Sequence, residues 1–126
     1  MATLEPQYSF RHALVRQVLY ERTPLSVRAA LHCEVGRVLE AERAAGSAIA
    51  PAELAMHFDR GRQPMAALRW YAEAARSALL NFSPATCIGL MERVTALLPQ
   101  APQGAERDAL EITLATLRGM ADFQAH

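Results

Sequence analysis

The chain has 126 residues, enough for one ordinary domain with its own core and hardly for two. Apolar residues make up 52% and aromatics 6%, so alanine and leucine carry the apolar share, and both favour helices. Thirteen acidic residues cancel thirteen basic ones, all arginine. The first 45 residues mix six Arg with five Glu, so no basic stripe announces a nucleic-acid surface. No run of about 18 apolar residues offers a membrane span, and the start lacks the basic-then-apolar pattern of a secretion signal. Cys33 and Cys87 lie far apart without metal-ligand spacing, which predicts free thiols in a reducing cytoplasm.

In chain order, the first predicted helix covers 9–21. Ser9 can accept from its free N–H groups, and Phe10, Leu14 and Val18 fall on one stripe expected to be buried. Thr23-Pro24, Gln63-Pro64 and Ser83-Pro84 each read as an N-cap followed by proline at the first helical position, and Ala50-Pro51 is a weaker form. Gly46 and Gly61 fall where helices should stop, and Pro99 with Pro102 breaks the chain again. Helices are therefore predicted over 9–21, 24–45, 51–60, 64–81, 84–98 and 104–123. No segment keeps a period of two long enough for a strand, so the predicted fold class is all-α. In the last helix Leu110, Leu114, Leu117 and Ala121 form an apolar stripe, and the acidic first turn suits the helix dipole. That helix either closes the domain or opens a unit continuing past His126, and both ends read as cut from a longer polypeptide.

Leu54, Ala55, Phe58, Ala67, Tyr71 and Ala74 stand at the offsets of a tetratricopeptide-like hairpin. Alanines at 55 and 67 let two antiparallel helices approach, while Phe58 and Tyr71 fill the space beside them. A weaker second match (Ala75, Cys87, Met91, Val94, Pro99) reuses the helix at 64–81, which predicts a stack of antiparallel hairpins forming a right-handed array rather than a count of separate repeats. One such unit cannot bury its own apolar face, and about three must stack or be capped.

The words Phe10-Arg11-His12-Ala13-Leu14 resemble the FRHAL-type segment just after the nucleotide-binding and winged-helix modules of STAND-class signal-transduction ATPases. Large LuxR-type transcription regulators and ATPase-linked adenylate/guanylate cyclases belong to that class. The Ala55-Met-His-Phe58 stretch is similar to the family's A-x-H-F hairpin. The resemblance spans roughly 8–100. It implies that residues 1–22 end a winged-helix-type module or connecting helix and that 23–126 form the tetratricopeptide-like domain. It further implies His12, with Arg11, as a nucleotide sensor in the intact protein, although Ala13 stands where an acidic residue is frequent. ATP or ADP would belong to the parent protein. This chain has no lysine and no G-x-x-x-x-G-K-[ST] loop to cradle phosphates, so no cofactor is expected here.

No catalytic constellation emerges. His32 and His57 share no metal-ligand spacing and read as packing histidines. His32 points about 100° away from Cys33 on one helix, the wrong geometry for an activated thiol. Glu40 and Glu42 lie on different helix faces, no serine stands in a nucleophile elbow, and Arg16 and Arg22 with Glu21 read as a solvated, salt-bridged face. Trp70, beside Arg69 and turned about 100° from the hairpin-facing Tyr71, either meets a neighbouring layer or is an exposed binding anchor. The resulting expectation is a non-catalytic regulatory segment that contacts protein partners or other domains of its own polypeptide. The competing reading is a helix-turn-helix DNA-binding fragment built from 9–21 and 24–45. Balanced charge and Glu34, Glu40 and Glu42 on its second helix stand against it.

Overall fold

The computed structural model describes residues 14–18 and 20–126. Among them are six helices and no strand, an all-α fold. Helical residues 14–18 and 20–22 (α1) precede α2 (Leu25–Ala44), α3 (Pro51–Arg60), α4 (Pro64–Leu80), α5 (Pro84–Leu97) and α6 (Ala105–Ala125). A 3-10 turn, Leu98–Gln100, carries Pro99 and links the last two. Each helix from α2 onward packs on the next, and α4 also touches α6. Short links between successive neighbours reverse the chain each time.

Proline punctuation predicts three starts well and one with a correction. Pro51, Pro64 and Pro84 open their helices, where a missing N–H costs nothing. At the fourth site Pro24 is itself the N-cap and α2 begins at Leu25, with Val27 N–H donating to the Pro24 carbonyl at 3.0 Å. Gln63 and Ser83 hold the N-cap positions, but neither side chain caps. Their carbonyls accept from Ala67 N–H at 2.9 Å and Cys87 N–H at 3.2 Å instead.

The turns after α3 and α4 are built alike. Gln63 N–H reaches back to the Phe58 carbonyl at 2.9 Å, and Ser83 N–H to that of Ala78 at 2.8 Å. Each bond closes a left-handed C-terminal cap. The left-handed residues are Arg62 (φ 58°) and Phe82 (φ 54°), not Gly61, which has φ −80°. Gly61 is small for another reason. A Cβ there would lie 2.8 Å from the Cys33 backbone nitrogen and 2.9 Å from the His57 carbonyl oxygen, so its lack of a side chain sets how closely α2 seats on α3.

The core lies in α3 to α6. All six predicted hairpin residues are buried (Leu54, Ala55 and Phe58 on α3, Ala67, Tyr71 and Ala74 on α4), as are Ala75, Cys87, Met91 and Val94 of the second match. Central α4 buries five alanines, because small side chains let it meet α3, α5 and α6 at once. Leu114, Leu117 and Ala121 close the core from α6. The amino-terminal helices contribute little. Only Ala29, Cys33 and Gly36 of α2 are buried, and Leu14 and Val18, expected on a buried stripe, are exposed because no described helix covers that face.

Candidate interaction site

The most developed polar site lies where α3, α4 and α5 meet. Arg93 grips Asp59 with both prongs of its guanidinium, Nε to Oδ2 and Nη2 to Oδ1, each at 2.6 Å. Tyr71 Oη donates to the same Oδ2 at 2.7 Å. Burial pushes the Asp59 carboxyl up, but the hydrogen bonds from Arg93 and Tyr71 outweigh it and hold the group below the usual carboxylate range. The Tyr71 phenol is pushed up, first by burial and then by its bond to Asp59. Three helices are thus pinned through one carboxylate with its charge satisfied.

Beside this node opens a cavity of about 910 Å³, walled by Met56, Pro64 and Leu97 and edged by Arg60, Arg62 and Gln100. Arg93 is committed to Asp59, whereas Arg60 and Arg62 have no ion-pair partner among the described residues. The left-handed turn lifts Arg62 to the rim. The pocket therefore presents apolar walls under a surplus of positive charge, a fit for a carboxylate carried on an apolar stem. Sequence reasoning missed it. Its local signal was the Asp-Arg-Gly-Arg run at the end of α3, but Arg93 arrives from 34 residues away.

Trp70 and Arg69 are occupied within the chain. The Trp70 indole N–H donates to Glu40 Oε2 at 2.7 Å, and the Arg43 guanidinium lies over the ring, 5.4 Å from its centre. The half-buried indole thus ties α4 to α2, which favours the neighbouring-layer role. Arg69 pairs with Glu106 of α6 at 2.7 Å. His12 and Arg11 lie outside the described residues. The expected salt-bridged face around Glu21 takes another form, with Gln17 bonding its side chain at 3.0 Å and Arg28 donating to its backbone carbonyl.

His32 and His57, 25 residues apart in the chain, meet across α2 and α3 with Nδ1 atoms 3.1 Å apart. Their packing role gains a mutual hydrogen bond that no sequence spacing signalled. Cys33 and Cys87 are free and buried. Burial, with Asp122 second, pushes the Cys87 thiol up, away from nucleophilic readiness. Among the described residues no group of three or more His, Cys, Asp or Glu could hold a metal, and no helix is long and apolar enough to cross a membrane.

A second surface is apolar. Leu80 and Phe82 join Ile112 and Met120 around an open groove of about 620 Å³ between α4 and α6. Neither a known protein family, a curated protein nor a solved structure matches the chain.

Proposed function

We propose that this chain is a non-catalytic, tetratricopeptide-like interaction segment from the regulatory region of a STAND-type signal-transduction ATPase. Residues 1–22 would end the preceding module in the cytoplasmic parent protein, and residues 23–126 would receive or relay protein contacts. The opening words of the sequence supply the family half of this reading. The interaction half is carried by the pocket edged by Arg60 and Arg62, which offers two unpaired guanidinium groups above apolar walls. A partner segment placing a glutamate or aspartate between apolar residues fits that chemistry, since guanidinium pairs with carboxylate in a two-pronged geometry. Buried aromatic and arginine anchors are what make such contacts specific.

The test is a calorimetric titration of the chain with a short peptide alternating glutamate and leucine. Its lysine-for-glutamate counterpart and Mg·ATP serve as comparisons. Binding of the acidic peptide alone, weakened at least about tenfold in an Arg60→Ala/Arg62→Ala variant, supports the reading. Loss of one charge-assisted contact is worth about that factor. Tight binding of Mg·ATP by this chain, or equal binding of both peptides, refutes it. A salt-sensitive shift with duplex DNA would instead favour the helix-turn-helix alternative.

A further inference from the structure

The junction between α2 and α3 holds a proton-counting contact. The His32 and His57 ring centres are 5.3 Å apart with Nδ1 atoms 3.1 Å apart, so the nitrogens meet nearly head-on. Such a contact is attractive only when one of the two nitrogens carries a proton and the other is bare. The Tyr20 hydroxyl lies 2.9 Å from His32 Nε2 and serves either tautomer, donating to a bare nitrogen or accepting from a protonated one. The neutral pair therefore keeps both its central bond and the Tyr20 contact in either tautomer. A first added proton goes to an Nε2, the Tyr20 hydroxyl turns where needed, and the central N–H···N bond survives. A second proton has only the bare Nδ1 left. It sets two N–H donors and two positive rings face to face, and attraction becomes repulsion.

The charged and titratable groups acting on the pair come from three helices. Tyr20 of α1 touches His32, and Arg28 of α2 lies over the Tyr20 ring at 4.4 Å. From α3, Arg60 opposes a charge on either ring, and Glu53 alone favours one on His57. Burial already lowers both imidazoles from their ordinary value, His57 and Arg60 adding to the effect at His32.

Besides the histidine pair, α2 is held by Cys33 against Gly61, Gly36 beneath the Phe58 ring, partly buried Leu39 packed on the core cluster, the Glu40–Trp70 bond, and Arg43, which stacks on Trp70 and donates to the Ile49 carbonyl. The buried cluster spanning α3 to α6 includes no buried residue of α2, so departure of α2 opens it only at the Phe58 ring and the Leu39 contact and leaves the α4–α6 packing in place.

We propose that the His32–His57 pair is a proton-operated latch, closed when neutral or singly protonated, whose second protonation releases α2 from an intact α3–α6 stack. An opening step that takes up one proton shifts about tenfold per pH unit in the window below the titration of the released imidazole and above that of the latched one. Release uncovers the Phe58 ring and Cys33, a new apolar strip next to the already exposed Leu31 and Val35.

The test is hydrogen exchange by mass spectrometry on the full chain between pH 8 and 5, corrected for intrinsic exchange rates. Fluorescence of Trp70, the sole tryptophan, reports its contact with α2 in parallel. Protection over 25–44 should fall at least about tenfold between pH 7 and 5 while α4 and α5 stay protected. In His32→Gln/His57→Gln, whose amides hydrogen-bond but do not charge, the pH dependence should vanish, whatever the absolute protection. Constant α2 protection in the wild type, simultaneous loss over α4 and α5, or an undiminished pH dependence in the double variant overturns the latch.

Discussion

Gly61→Ala isolates how closely α2 and α3 must approach. Backbone conformation is not at issue, because φ −80° suits any residue. The added methyl would stand 2.8 Å from Cys33 N and 3.0 Å from Cys33 Cα, and 2.9 Å from the His57 carbonyl oxygen. All three are backbone atoms, so no side chain can swing aside. Helix α2 must retreat by roughly half an ångström, enough to forfeit a quarter or more of each dispersion well along the seam. Overpacking of this kind costs about 1–3 kcal/mol. Gly89→Ala is the natural control. A Cβ there meets nothing within 4 Å in exposed mid-α5, and alanine should stabilise the helix by about 0.5–1 kcal/mol. Urea unfolding followed by helical circular dichroism measures both, with Trp70 emission as the probe of the α2 seam. A lower midpoint for Gly61→Ala with a higher one for Gly89→Ala is expected. Equal or greater stability of Gly61→Ala would refute the close-approach account.

The other predictions concern the polar contacts. Asp59→Asn should cost about 2–4 kcal/mol in urea unfolding, since it removes the charge of a nearly buried carboxylate on which Arg93 and Tyr71 converge, whereas Arg69→Ala should cost under about 1 kcal/mol because both partners of that pair are half-exposed. Because the folded Asp59 carboxyl is held below its unfolded value near 3.9, its contribution is present above that pH and is lost as pH falls through the folded value. Asp59→Asn should therefore flatten the acid limb of the stability curve below about pH 4. Absorbance at 295 nm during alkaline titration should show Tyr71 retaining its proton after ordinary phenols ionise near pH 10, and losing it only with unfolding. An undelayed third phenol would place Tyr71 outside the Asp59 bond.

The fold was legible where local chemistry and tertiary packing agree. Prolines set three helix starts because the first helical turn has an N–H to spare. The spacing of Leu54, Ala55, Phe58, Ala67, Tyr71 and Ala74 identified residues that the structure buries. Gly61 stands where α3 stops, as its place in the sequence suggested, but its small size serves Cys33 across the interface, and the left-handed conformation falls one residue later. One error comes from a one-dimensional rule used where a neighbouring helix decides. The Leu14–Val18 stripe looked buried, yet no described helix covers it. The polar sites were hidden for a different reason. Asp59 meets Arg93 across 34 residues and His32 meets His57 across 25, and neither separation is a helical period that a sequence pattern could report.

The matching turns at Arg62 and Phe82 separate what the fold needs from what the pocket needs. Both hold non-glycine residues in a left-handed conformation that costs such a residue about 1–2 kcal/mol. Glycine would relieve that cost while losing about 0.5–1 kcal/mol of its own to chain entropy. Phe82→Gly and Arg62→Gly should each gain a few tenths to about 1 kcal/mol, read as a higher urea midpoint at unchanged slope. If the strained Arg62 is kept for the acidic-partner pocket, the two gains differ in consequence. Phe82→Gly should leave acidic-peptide affinity intact, because Phe82 faces the separate apolar groove, while Arg62→Gly should weaken it several-fold despite the firmer fold. Stability rising with undiminished peptide binding in Arg62→Gly would mean that the arginine is only a tolerated turn residue, and would shift the search for partners to the apolar groove between α4 and α6.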